Sequence, residues 1–326
     1  MMDRRTFIGL ITLISSTRPL AAAAQQAVKG PRIGVLWGGG PGPDRRLEAF
    51  RSGLRELGYV EGKNVTTLYR FAGGQEARLP TLAADLVRLS VDVIVADGTR
   101  LIQAAKDATK TIPIVMASAG DPVQSGFVAS LSRPGGNITG LANIIRELNR
   151  KRLELLKDLV PSASRVVVLY SKGVYDDAAL SEVRDAAQAL RIDLQFLGVR
   201  GPEVLGSAFS LDGARSGRAL IVLSDAVLFA HRTRVVELAA KSRLPAIYTH
   251  SGWVEAGGLM SYGTDLADLL RRAAHFVDKI ARGAKPGDLP VEQPTKFELL
   301  INMKTARALG LVIPPSLLLR ADRMIE

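Results

Sequence analysis

The feature that most constrains this chain is a repeated alternation. Short apolar runs rich in β-branched residues are each followed by a small-residue or capping loop and then by an amphipathic stretch. The most sharply punctuated copy is Thr111–Leu141, TIPIVMASAGDPVQSGFVASLSRPGGNITGL. Ile112–Met116 reads as a strand buried on both faces of a parallel sheet, because its apolar character is continuous rather than alternating. Ala117–Gly120 supplies small residues at the strand exit, where a chain can approach a ligand closely. Asp121-Pro122 reads as an N-cap with proline in the first turn, which predicts a helix through Val123, Phe127, Val128 and Leu131. Arg133–Asn137 stops it, and Ile138–Leu141 can form one more strand.

The same unit recurs from Pro31 onward. Arg32–Trp37 is a strand followed by the glycine-rich loop Gly38–Pro43, and Asp44 caps a helix carrying Leu47, Phe50, Leu54 and Leu57. Asn64–Tyr69, Val91–Ala96 and the strand at 112–116 continue the series. After Leu141 the rhythm restarts with a helix over 147–159 and strands at Arg165–Tyr170, Asp193–Val199, Ala219–Leu223, Pro245–Thr249 and Leu259–Tyr262. A long helix over 264–281 follows, then a proline-bearing connection and a late strand at Phe297–Asn302. Regular βα units of this length predict an α/β protein with two doubly wound Rossmann-like lobes. The first lobe is expected over 31–142 together with 262–326, and the second over 143–261, with a multi-strand hinge near 141–146 and 261–264. A chain of 326 residues is long enough for two such lobes.

Residues 1–24 resemble an export signal. Met1–Arg5 is basic, Phe7–Ser16 is apolar, and Ala21–Ala24 offers an A-x-A arrangement. Ten apolar residues are too few to span a bilayer. Arg4-Arg5 also resembles a twin-arginine signal. The chain has no cysteine, which excludes disulfides, thiolate metal sites and a lipoprotein anchor. The expected product is therefore exported, soluble and periplasmic. Lysine and arginine total 43 against 32 acidic residues, a formal charge of +11. No basic block with interleaved aromatics, zinc-finger spacing or basic helix accompanies that charge, so nucleic acid is not an expected partner.

The chemistry-bearing residues cluster at strand exits. In open α/β sheets that is where ligands bind. Trp37 and Gly38 lead into a glycine loop whose prolines spoil a dinucleotide fingerprint. Gly98 and Thr99 open a helix whose free amides and positive dipole end would attract an anionic group. Ser118 could join them. Asp121 or Asp225 could meet a cationic group, and Ser171 and His250 occupy equivalent exits in the second lobe. Trp37 or Trp253 could cover an apolar part of a ligand. The three histidines are too scattered for a metal site. No G-x-S-x-G elbow or acid/base pair is present, so neither catalysis nor a cofactor is expected.

Several motifs in order, FRSGLRELGYVEGKNV, RLPTLAADLVRLSVDVIVADGT, IPIVMASAGDPVQSGFVASLSRPGGNITGL, KRLELLKDLVP, VEAGGLMSYGTD, VDKIARGAKPGDLPVEQPTKFELLINMKTARALGL and IPPSLL, closely resemble the ABC-transporter substrate-binding family that includes TrpX-like proteins. The resemblance covers residues 31–326. It implies a type I periplasmic-binding-protein fold that closes on a small, often amino-acid-like or carboxylate solute and passes it to a membrane permease and its ATPase, acting as a monomer. The chain departs from the family pattern at Gly98-Thr99-Arg100, Ser171-Lys172 and Thr249–Trp253, so the resemblance implies the scaffold more closely than the ligand. A ligand-binding subunit for a separate sensor and a two-lobed sugar-nucleotide enzyme are the alternative expectations.

Overall fold

The computed structural model describes residues 30–143, 148–175, 177–210 and 218–326. The expected export signal, and part of the first hinge crossing, lie outside the described residues. The first sheet contains β1 (Arg32–Trp37), β2 (Thr66–Phe71), β3 (Val93–Ala96), β4 (Ile114–Ala119) and β5 (Ile138–Ala142), all parallel, in the order β2-β1-β3-β4-β5. β1, β3, β4 and β5 are almost entirely buried, which is why their sequences show no alternation.

The chain then builds the same order again. The strands β6 (Arg165–Ser171), β7 (Asp193–Val199), β8 (Ala219–Val222), β9 (Ala246–Tyr248) and β10 (Met260–Thr264) form β7-β6-β8-β9-β10. Two further strands extend this sheet beyond β10. β11 (Phe297–Asn302) runs antiparallel to β10, pairing Gly263 with Glu298 and Met260 with Ile301. β12 (Arg323–Ile325) is parallel to β11.

Helices cover both faces of each sheet. In the first unit Leu82, Leu86 and Ile102 pack against Leu36, Ile94 and Met116 on one face. On the other face Leu47, Phe50 and Leu54 join Leu269, Ala273 and Phe276 over Val35, Val93 and Val115. Each of these larger side chains contributes about 1.5–3 kcal/mol by leaving water. The helix Arg45–Glu56 lies so close to the helix Leu266–Ala281 that a Cβ at Gly53 would sit 2.4 Å from the Arg271 carbonyl oxygen.

The C-terminal part is divided between the units. The sequence reading places 262–326 with the first lobe. The helix Leu266–Ala281 does pack there, and Glu292 bridges to Leu141 at the edge of the first sheet. β11 and β12 instead belong to the second sheet, because the open edge of β10 offers unpaired backbone groups. Among the described residues the chain therefore changes unit between Asn143 and Leu148, at 264–266 and over 293–297.

A second difference concerns 122–131. The helix expected there is absent: Asp121 caps only a series of turns, accepting from the amides of Val123 and Gln124. Gly126 adopts φ +66°, and Phe127 and Val128 both bond back to the Pro122 carbonyl. Glycine within the run and the competing local bonds outweigh the apolar spacing.

Candidate functional site

The order 2-1-3-4-5 reverses direction between strands 1 and 3, and the crevice outside the carboxyl ends of those two strands is the natural ligand position. In the first unit these ends are Trp37-Gly38 after β1 and Asp97-Gly98-Thr99 after β3. Gly98 has φ +101°, a conformation glycine adopts freely, and the helix Thr99–Ala108 that follows has no side-chain cap. Its amino end is thus left with donors and the positive end of the helix dipole.

The acid that could have capped it, Asp97, is engaged elsewhere. Arg46 Nη1 donates to Asp97 Oδ2 at 2.8 Å and its Nη2 to Asp44 Oδ2 at 3.2 Å, while the guanidinium lies 4.6 Å above the Trp37 ring. Burial pushes the Asp97 carboxyl up, against the pull of Arg46. Burial also works against the Arg46 charge, but Asp97 and Asp44 outweigh it and raise its value. Each charge offsets part of the other's desolvation. Trp37 itself is 2% exposed, and its Nε1 has no partner among the described residues.

Thr99 Oγ1 accepts from the Gly120 amide at 3.4 Å, which joins the exits of β3 and β4. Ser118 Oγ accepts from Asn143 Nδ2 at 3.4 Å, and Asn143 Oδ1 accepts from Thr264 Oγ1 at 2.7 Å. Ser118 therefore connects the ligand side of β4 to the last residue of β10 in the other unit. Asp121 is an exposed turn cap with both bonds directed to its own loop.

In the second unit the equivalent exits look different. Ser171 Oγ donates to Asp225 Oδ1 at 2.9 Å, and the same oxygen accepts from the Leu228 amide at 2.7 Å. Asp225 caps the short helix Ala226–Ala230 and is buried in that role. Trp253 is 1% exposed and stacks on Tyr248 at 5.0 Å, inside the core rather than over a cleft. Its aromatic size is used for packing.

His250 lies between these elements and the first unit. Its ring meets Phe229 edge-on at 4.4 Å, and Phe229 in turn carries the Arg232 guanidinium at 4.6 Å. Burial, followed by the fields of Arg46, Arg152 and Arg232, pushes its imidazolium down to about 3, so the ring is neutral at physiological pH. The field of Arg46 thus reaches this histidine from the other unit. Arg152, which the sequence pattern did not single out, is 1% exposed beneath this region; it donates to the Tyr262 carbonyl at 2.8 Å and to Asn149 Oδ1 at 2.7 Å. Burial lowers it to about 10, still charged at neutral pH.

Trp37, Gly38, Gly98, Thr99 and Ser118 therefore stand at strand exits of the first sheet, and Ser171, Asp225 and His250 at strand exits of the second. Trp253 and Asp121 stand apart in the core and on an outer loop. Arg46, Asp97, Asn143 and Phe229 adjoin these residues through the contacts described. A hollow lined by Arg184, Gln188, Arg191 and Phe196 lies at the opposite end of the second sheet and has no part in this arrangement. Among the described residues no group of three or more metal-binding side chains occurs, and no helix is long and apolar enough to cross a membrane.

Comparison with known proteins gives a consistent picture. The family model for ABC transporter substrate binding proteins matches residues 38–325. A Clostridioides difficile (strain R20291) protein named tyrosine-binding protein is 30% identical over 273 residues, covering 83% of this chain and 78% of that protein. A crystal structure of an ABC domain from Streptococcus pneumonia in complex with L-Trp superposes with a TM-score of 0.82 at 28% identity, covering 91% of this chain and all of that one. A conserved domain protein from Vibrio cholerae superposes with a TM-score of 0.81 at 29% identity over the same share of this chain and the whole of its own.

Proposed function

We propose, for a chain that belongs to the ABC transporter substrate-binding protein family, that the solute is an aromatic amino acid or a close carboxylate analogue. The family consists of substrate-binding proteins rather than enzymes, so the site serves capture and release. The solute would lie in the cleft between the two units. Its carboxylate would meet the uncapped amino end of the Thr99–Ala108 helix, with Gly98, Thr99 and Ser118 as donors. The ring would lie against the Phe229–His250 wall.

The observation that carries this reading is the unequal treatment of the two acids at the switch points. Asp97 turns to Arg46 and leaves its helix end open, whereas Asp225 closes its own. The relatives named for tyrosine and crystallised with L-Trp support the aromatic choice. Binding would favour the closed arrangement through contacts made with both units at once. The chain would deliver its solute from the periplasm to a permease and ATPase of the inner membrane, as a monomer. Isothermal titration with L-tyrosine, L-tryptophan, tyramine and tryptamine tests it. Saturable binding of an acid and none of the matching amine is expected; silence toward both amino acids would overturn the assignment.

A further inference from the structure

The amino ends of the strands in the second sheet, at the far end from the exits described above, carry a basic row. Arg165 opens β6, Arg218 immediately precedes β8, and Arg191 and Arg243 stand shortly before β7 and β9. All four are exposed. Their strands are neighbours in the order β7-β6-β8-β9, so the row spans about 14 Å at the usual strand spacing of about 4.8 Å. The register holds its members level. Arg165 lies beside Asp193 at the start of β7, and the Arg218 amide donates to the Arg165 carbonyl at 2.9 Å. Val167 and Leu220, the second residues beyond these two arginines, pair with each other and join one core cluster, so Arg165 and Arg218 leave the same face of the sheet side by side.

Two costs of this row find no return inside the described chain. Like charges on adjacent positions repel, and none of the four side chains makes a hydrogen bond or ion pair among the described residues. Asp193 forms no ion pair with Arg165 beside it, and Asp158 near this end is held by Arg320. Arg191 and Arg243 also adopt φ +56° and +52°, in turns bonded alike. Their amides donate to the Gln188 and Ala240 carbonyls, and the amides that follow donate to those of Ala187 and Ala239. Glycine or asparagine suits such a turn, and arginine is strained in it. The first unit fills the corresponding place differently: its turn holds Ser90 at φ +53°, and arginines near its strand amino ends are paired, Arg88 with Asp85 and Arg282 with Asp278.

We propose that Arg165, Arg191, Arg218 and Arg243 form a docking surface for an anionic phospholipid bilayer. A guanidinium presents a fork of donors that matches the oxygens of a headgroup phosphate. Four such forks spread along a row complement a charged plane rather than a single bound ion. The bilayer is the occupant because the proposed export of the chain brings it beside one; the inference rests on that step and not on the solute or on closure. Docking by the strand amino ends leaves the strand exits, at the opposite end, open to solute. Near an anionic leaflet each arginine contributes about fivefold to partitioning, and the four together several hundredfold. The attraction is electrostatic and is screened by salt.

The test is co-sedimentation of the protein with vesicles of phosphatidylcholine, alone or mixed in equal parts with phosphatidylglycerol, at low and at physiological ionic strength. Sedimentation with the anionic vesicles only, falling as salt is added, is expected. A variant combining Arg165→Gln, Arg218→Gln, Arg191→Asn and Arg243→Asn should bind several hundredfold more weakly. Because asparagine suits the two left-handed turns, this variant is expected to keep the wild-type unfolding temperature. A control combining Lys63→Gln, Lys110→Gln, Arg133→Gln and Lys285→Gln removes the same charge from exposed positions on the first unit and should bind nearly as wild type does. Absence of binding to anionic vesicles at low salt, or an equal loss in the two variants, overturns the docking surface. Capture by soluble polyglutamate with the vesicles left bare overturns the bilayer as its occupant.

Discussion

The two sheets repeat one strand order, yet they finish their switch points in opposite ways. In the first unit the acid after β3 pairs with an arginine from the helix that follows β1, and the helix amino end beside it stays open. In the second the acid after β8 accepts from the Leu228 amide and from Ser171, so its own helix end is capped. Topology alone places both exits at a cleft; side-chain pairing decides which one retains the capacity to hold an anion. In the proposed reading the first unit offers the anion-binding helix end and the second the Phe229–His250 ring contact, an asymmetry that would suit a solute with one charged and one aromatic end.

Four substitutions probe that contrast. The largest effect is expected from Arg46→Met, which strands the buried Asp97 carboxylate. Removing one partner of a fully buried pair costs about 3–5 kcal/mol, and the partial exposure of Arg46 brings the expectation to about 2–3 kcal/mol of unfolding free energy in urea. Adding Asp97→Asn should recover most of it; a double variant no better than the single would break the pairing argument. Asp225→Ala should cost about 1 kcal/mol as a lost cap while changing solute affinity little. Thr99→Val should do the reverse, leaving unfolding almost unchanged and weakening binding about fivefold to tenfold by titration. If those two variants exchanged effects, the assignment of the halves would be inverted.

His250 sharpens the comparison through pH. Its folded value lies near 3, below the ordinary histidine value, so the folded chain takes up fewer protons there than the unfolded chain. The histidine contribution to stability is complete above the unfolded value and falls as pH drops from about 6.5 toward 3. Thermal unfolding of His250→Phe should therefore lose less between pH 7 and pH 5 than wild type. The smallest effect belongs to Asp121→Ala, about 0.5–1 kcal/mol from a local turn with no change in binding. A strong affinity loss there would return Asp121 to the site.

Continuous apolar runs such as Val166–Leu169 and Ile94–Ala96 made the parallel strands legible, because burial on both faces leaves no other composition. The apolar spacing of 123–131 misled, since glycine and an Asx-type turn can satisfy the same backbone groups locally. Gly98 and Thr99 could be placed from their position after a strand. Arg46 could not, because a helix's second arginine looks like any solvated arginine until its acid is known to be 51 residues away. Trp253 and Tyr248 illustrate the converse: an aromatic pair near a strand exit reads equally as a ligand cover or as core, and only their stacking shows that it is core.

By itself the sequence determined the βα rhythm, the repeat of that rhythm and the small or capping residues at strand ends, since these follow from local backbone preference and from burial on both strand faces. The tertiary structure decided which sheet receives β11 and β12, which acids are spent on internal partners, and where four arginines gather along the strand amino ends of the second sheet. Those outcomes depend on open strand edges and on charges brought together from distant parts of the chain. Neither an edge nor a pairing exists until the chain has folded.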